Sequence, residues 1–256
     1  MNTVQGNPFF KFIEYDDEKT ETCERCGKTF TIRHSTYFKK WIGECECIKA
    51  EKQRIEAEQK EKQEIDRLIA NSGIPKRYIS STFDNFTVRA ETKNAYEAAR
   101  LYFEKFTEFN DTGSGLIFTG NTGSGKTRLA TAIGIELIKE RKKSVKFVSF
   151  NSLIDQINYG DSYGKAEAEV IRKYKNCPLL ILDDICVTNV SDKWKRVLYS
   201  IIDGRINDIK PTIYTTNITS LDEIKTKLNE QIYDRITGSC AEIRVAASSF
   251  RQIKNF

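Results

Sequence analysis

Three regimes of apolar and polar positions follow one another along the chain. In residues 48–67, IKAEKQRIEAEQKEKQEIDR, twelve of twenty positions are charged, six of each sign, and neither Gly nor Pro occurs. These residues favour helix, and Glu56–Lys60 and Glu58–Lys62 have i,i+4 spacing. The apolar positions Ile48, Ile55, Ile65, Leu68 and Ile69 are too few for a sustained coiled-coil seam. The pattern predicts a solvated connecting helix, closed by Asn71-Ser72-Gly73-Ile74-Pro75 with glycine just past its end. Its charges cancel, so it is no basic arm for phosphates.

From about residue 74 short apolar runs alternate with helical stripes. Tyr96, Ala99, Phe103 and Phe106 share one face of a helix expected over 92–109. Trp194, Val197, Leu198, Ile201 and Ile202 do so within 191–209. Ser220-Leu221-Asp222-Glu223 reads as a capping box opening a helix that runs to about Thr237. Strand-like runs occupy 115–119, 145–150, 179–182 and 212–216. Apolar strands separated by helices predict a parallel sheet covered on both faces.

The 256 residues are 39% hydrophobic and 30% charged, the composition of a soluble globular chain with a substantial core. The longest apolar runs, such as 179–182, are about four residues, so no membrane span is expected. The N-terminus lacks a basic stretch followed by an apolar one, so a cytoplasmic location is expected rather than export. Forty-one Lys and Arg against 36 Asp and Glu give +5, compatible with nucleic acid without demonstrating it. Seven cysteines, an odd number without an export signal, fit a metal site plus scattered thiols better than a disulfide framework.

Four of them cluster as Cys23-x₂-Cys26 and Cys45-x-Cys47. Tetrahedral Zn²⁺ takes four such thiolates from two short turns, and Gly27 permits the first. Free thiols and a four-cysteine iron–sulfur cluster are the alternatives. His34, the only histidine, is read as an exposed loop residue that could replace one thiolate. So small a module, poor in aliphatics, needs a metal to hold its fold. Tyr37, Phe38, Trp41 and Ile42 offer either an exposed apolar contact or packing around the metal.

Gly120-Asn121-Thr122-Gly123-Ser124-Gly125-Lys126-Thr127 matches the phosphate-loop pattern between an apolar run and a helix bearing Leu129, Ile133 and Leu137. Small residues let backbone N–H groups converge on phosphate, with Gly123 and Gly125 supplying the angles. Lys126 is placed for the β- and γ-phosphates of ATP and Thr127 for Mg²⁺. The carboxylates that nucleotide hydrolysis needs follow an apolar strand. Asp183 is assigned to Mg²⁺ and Asp184 to the attacking water. Asn217, after Ile213-Tyr214-Thr215-Thr216, could bond that water or the γ-phosphate.

Together these motifs resemble the AAA+ ATPases, and within them the replicative helicase loaders of the DnaC/DnaI type, with IstB transposition helpers as near relatives. The resemblance covers about residues 72–253. It includes the entry segment Gly73-Ile74-Pro75-Lys76-Arg77-Tyr78 with Thr82-Phe83-Asp84-Asn85-Phe86. It implies a P-loop α/β fold over 74–256, a helical linker over 51–73 and a zinc-bearing, helicase-gripping module over 1–50. Arg128 joins the phosphate-loop residues. Arg235, in Tyr233-Asp234-Arg235, resembles an arginine finger acting on an adjacent subunit, with self-association through the ATPase domain. Arg251, in Ser249-Phe250-Arg251, resembles the arginine acting in cis, and Arg205 is a second interface candidate. Asp184 stands where many AAA+ proteins have Glu, and Cys186 where these loaders often have Gly. Slow, assembly-dependent hydrolysis is therefore expected.

A loader must also hold single-stranded DNA through cations and stacking rings. Phe150, Tyr159, Tyr163 and Lys165 are the candidates, where the family inserts an extra helix. The reading is an ATP-dependent loader that delivers a hexameric replicative helicase onto single-stranded DNA. A transposition helper on duplex DNA and a nucleotide-binding helicase adaptor or inhibitor with little hydrolysis are the alternatives.

Overall fold

The computed structural model describes residues 14–160, 165–186, 190–247 and 249. The chain separates into two units, residues 1–63 and 64–256. In the first, β1 (Tyr15–Thr22), β2 (Thr29–Ser35) and β3 (Lys40–Ile42) form an antiparallel sheet in that order. Among its described residues, Cys23, Ile32 and Cys45 are the buried hydrophobic ones. Helix α1 (Glu46–Ser72) begins in the first unit and ends in the second. Gly73 follows it at φ +77°, the left-handed conformation that ends a helix cheaply only at glycine.

The second unit is built on a five-stranded parallel sheet of β4 (Gly115–Thr119), β5 (Val145–Ser149), β6 (Leu179–Asp183), β7 (Thr212–Thr215) and β8 (Cys240–Arg244). The order is β5-β6-β7-β4-β8. Successive side chains leave a strand on opposite faces. Leu116, Phe118, Ile181 and Ile213 therefore enter one core, shared with α2 (Lys93–Glu104), α3 (Phe106–Thr112) and α4 (Lys126–Arg141). Ile117, Leu180, Leu182 and Tyr214 enter the other. That core is shared with α5 (Phe150–Gly160), α6 (Lys165–Asn176), α7 (Asp192–Asn207), α8 (Glu223–Lys227) and α9 (Glu230–Ser239). Because β4 lies between β7 and β8 rather than beside β5, the chain reverses strand order at β4. Ligands of open α/β sheets bind at such switch points, beyond the carboxyl ends of the strands.

The structure redraws three elements. The helix expected over 92–109 breaks at Lys105, which lets Phe106 turn fully inward at the start of α3. The helix expected from Glu223 to Thr237 breaks at Leu228, which is buried. Asn229 then caps α9 by accepting the Ile232 N–H at 2.8 Å. Glu223 does reach back to the N–H groups of Thr219 and Ser220, at 3.0 and 3.3 Å. Strand β8, an edge strand with exposed Ala241, Glu242 and Arg244, lacks the apolar run that residues 116–118 and 179–182 give β4 and β6.

Candidate nucleotide and metal sites

Strand β4 ends at Thr119, and residues 120–125 turn the chain into α4. Gly120, Gly123 and Gly125 have φ of +126°, +81° and +103°. Space excludes side chains as well: a Cβ on Gly123 would lie 2.2 Å from Ser249 Oγ. The loop brings the first turn of α4, whose N–H groups have no helical partner, to the wall of a cleft of about 360 Å³. Ser124 is wholly buried, and its hydroxyl has no partner among the described residues.

Lys126, also buried, donates from Nζ to Gly120 O and Asn121 O, both at 2.7 Å, and to Asn217 Oδ1 at 3.0 Å. Thr127 Oγ1 donates to Asp183 Oδ1 at 2.8 Å, and Thr215 Oγ1 to the same oxygen at 2.6 Å. Thr215 in turn accepts the Asp184 N–H at 3.0 Å. Asp184 sits at φ +58°, uncommon for a side-chain-bearing residue. Its Oδ1 accepts from Asn217 Nδ2 at 2.7 Å. Burial, and then the Asp183 charge beside it, raise the Asp184 pKa against the opposing pull of Lys126.

The phosphate-loop residues, the two aspartates and Asn217 thus meet at the ends of β4, β6 and β7. Thr127 and Asp183 together present hard oxygen donors of the kind Mg²⁺ takes. Ser124 supplies an unspent hydroxyl inside the loop. Sequence reasoning left three contributors without a role. Thr215 bridges the two aspartates, and its place in a Thr-Thr-Asn run ending an apolar strand was the available signal. Arg77 and Tyr78 line the cleft with the guanidinium 4.7 Å from the ring centroid. Arg128 also lines it, while Nη2 donates to Asn85 O at 2.6 Å and so fastens the segment before the first sheet strand.

Arg235, on α9, is half-exposed and pairs with Asp203 on α7, Nη2 to Oδ1 2.9 Å. Two sequence expectations fail. Arg205 is wholly buried and donates to Tyr174 O, Cys177 O and Pro211 O at 2.8, 2.7 and 2.6 Å, so it faces no subunit interface. Phe150 is 1% exposed in the core under α5 and presents no face to a base. Arg251 and Tyr163, and the side chains of Tyr159 and Lys165, lie outside the described residues.

In the first unit the sulfurs of Cys23, Cys26, Cys45 and Cys47 all lie within 4.8 Å of one another, with Cys23–Cys47 and Cys26–Cys45 at 3.5 Å. Zn–S bonds of about 2.3 Å in a tetrahedron put sulfurs about 3.8 Å apart, so the cluster fits zinc. Backbone N–H groups of Cys26 and Arg25 bond the Cys23 sulfur and hold its pKa down to about 6. Gly27, at φ +71°, closes this knuckle with its N–H on Cys23 O at 2.8 Å. Cys45 and Cys47 stand at the start of α1. Burial and then the neighbouring Cys26 and Cys23 thiols push the Cys47 pKa up to about 12, so metal binding there would displace a proton. His34 belongs to β2 rather than a loop and pairs with Asp16 at 2.7 Å, apart from the cluster. Tyr37, Phe38 and Trp41 are exposed rather than packed around a metal, and Ile42 is half-buried.

The family model of IstB-like ATP binding proteins matches residues 54–255. The chain is 31% identical over 176 residues to the replicative helicase loader DnaC of Escherichia coli strain K12, covering 67% of this chain and 69% of that one. It is 27% identical over 192 residues to DnaC of Buchnera aphidicola subsp. Acyrthosiphon pisum, covering 73% and 76%. A crystal structure of the DnaC helicase loader superposes with a TM-score of 0.60 at 24% identity, over 66% of this chain and 99% of that one.

Proposed function

This chain belongs to the IstB-like ATP-binding protein family, with the AAA+ fold of the DnaC-type loaders. From that premise we propose that it is an ATP-dependent loader that binds a hexameric replicative helicase and delivers it onto single-stranded DNA in the cytoplasm. The observation that carries this reading is the convergence of Lys126, Thr127, Asp183, Asp184 and Asn217 on one cleft, in a chain 31% identical to a protein named for helicase loading.

The triphosphate of ATP lies along residues 120–128, its oxygens replacing Gly120 O and Asn121 O on Lys126 Nζ. Thr127 and Asp183 hold Mg²⁺, which when bound neutralises phosphate charge. Asp184 takes a proton from the attacking water as its oxygen bonds the γ-phosphorus and the bond to the bridging oxygen of ADP breaks. Asn217 fixes the orientation of that carboxylate. Arg235 meets the developing charge on an adjacent subunit and Arg251 within its own, so turnover waits on assembly. The four cysteines hold zinc, and Tyr37, Phe38 and Trp41 form an exposed face for the helicase. Tyr159, Tyr163 and Lys165 remain the DNA candidates.

The test is reconstitution with the replicative helicase of the same cell or phage. A complex that places helicase on circular single-stranded DNA only with ATP is expected. Failure to bind any replicative helicase ring would remove the loader reading while leaving ATP binding intact. The name of the matching family model keeps one second reading, a transposition helper. Hydrolysis stimulated by duplex DNA and a transposase, and not by single strands, would favour it.

A further inference from the structure

Arg235 is not among the described residues lining the nucleotide cleft of its own chain, which accords with a role in hydrolysis on a second copy. Its surroundings carry the argument further. Helices α7 and α9 pack through Ile201, Ile202, Ile232 and Ile236. One turn apart on α7, Tyr199 and Asp203 both engage the Arg235 guanidinium. Asp203 Oδ1 lies 2.9 Å from Nη2, and the Tyr199 side chain stands beside the same guanidinium. Asp203 is itself steadied, its Oδ2 accepting from Asn207 Nδ2 at 3.0 Å.

A guanidinium has five N–H donors in a rigid fork. Pairing Nη2 with Asp203 restricts a long, rotatable side chain and leaves donors for a second anion. We infer that Asp203 is a positioning residue that presents Arg235 to the triphosphate bound by the adjacent subunit. This rests on the reading of Arg235 as a finger acting in trans. Although Asp203 Oδ1 itself is buried, the Arg235 end of this pair is half-exposed, so solvent screening limits what the pair contributes to stability. Its effect belongs in geometry, where a displacement of about 1 Å costs roughly 10²-fold in rate.

The experiment measures steady-state ATP hydrolysis by the assembled full-length protein, with ATP affinity and thermal unfolding followed alongside. Arg235→Ala should lower kcat by about 10³-fold or more. Asp203→Asn should lower kcat about tenfold without changing KM for ATP or the unfolding midpoint. Asp203→Glu should recover most of that loss. In an Arg235→Ala background Asp203→Asn should have no further effect, since it acts only through the arginine. A damaging Arg235→Ala beside an Asp203→Asn of normal or raised kcat would overturn the proposal and leave the finger reading standing. An inert Arg235→Ala would overturn both.

Discussion

The side-chain amide of Asn217 donates to Asp184 Oδ1 at 2.7 Å. Its own oxygen accepts from Lys126 Nζ at 3.0 Å, so one amide joins the phosphate-loop lysine to the carboxylate placed for water. Asn217→Ala frees that carboxylate without removing a phosphate ligand. We expect kcat for ATP hydrolysis to fall about 10²-fold while the Kd for ATP changes little. Parallel losses in kcat and affinity would show that Asn217 serves nucleotide binding instead.

Asp184 sets the pH dependence. Burial and the neighbouring Asp183 charge raise its pKa. The proton-accepting form is the carboxylate, so kcat should fall with acid through that raised pKa, at higher pH than for an ordinary aspartate. The stability effect has the opposite sign. A carboxyl whose pKa is raised on folding costs stability when ionised, and the cost disappears as pH drops through the folded value. Asp184→Asn keeps an oxygen for Asn217 and removes the charge beside Asp183. It should abolish hydrolysis yet unfold at the same or a higher temperature near neutral pH. Clear destabilisation in a thermal melt would refute this account.

The contrast between Asp184 and Thr215 shows what the sequence exposed. Both aspartates end an apolar strand about 55 residues after the phosphate loop, a spacing legible without coordinates. Thr215 joins them only because β7 lies beside β6, a non-local pairing. Arg205 was misassigned for a related reason. A lone arginine at the end of a helix reads as solvated, and its buried carbonyl partners belong to α6, the approach to β6 and the residue before β7. The parallel sheet was legible because β4 and β6 carry unbroken apolar runs and β5 and β7 place Phe147, Val148, Ile213 and Tyr214 between helical segments. The half-exposed edge strand β8 was hidden because it has no such run.

Lys126→Ala removes the ammonium that holds Gly120 O, Asn121 O and Asn217 together in the cleft. ATP binding, followed with a fluorescent analogue, should be lost or weakened by at least about 10²-fold, through loss of a charge-assisted contact to phosphate. The circular dichroism spectrum should be unchanged. Unaltered affinity would mean that the triphosphate is not held here.

Zinc should be present at one ion per chain, measured by elemental analysis of the intact protein. Cys26→Ser, which removes the most exposed of the four thiols, should lower that content. Chelation should unfold residues 1–63, where Cys23, Ile32 and Cys45 are the buried apolar residues among those described, and leave ATP binding by residues 64–256 intact. Four thiols reacting at once in native protein would contradict the metal site. An iron–sulfur chromophore would replace zinc with the other four-cysteine group.

Arg205 and Arg235 should separate stability from catalysis. Arg205 lies in a site of neutral acceptors: Tyr174 O, Cys177 O, Pro211 O and Thr212 Oγ1 at 2.6–2.8 Å. Burial lowers its pKa, yet guanidinium remains protonated. It joins the last turn of α6 to the residues entering β6 and β7, and so fixes the strand ends at the far side of the sheet from the cleft. Alanine there would leave several buried carbonyls without donors, each costing about 1–3 kcal/mol. Lysine, with three donors on a flexible stem, cannot reproduce the fork. Arg205→Ala should therefore lose about 3–5 kcal/mol in urea unfolding, with an unchanged m-value and ATP affinity retained where the protein still folds. Arg235→Ala, at a half-exposed ion pair, should stay within about 1 kcal/mol of the parent in the same titration. An Arg205→Ala protein as stable as its parent would show that water satisfies those carbonyls as well as the guanidinium does.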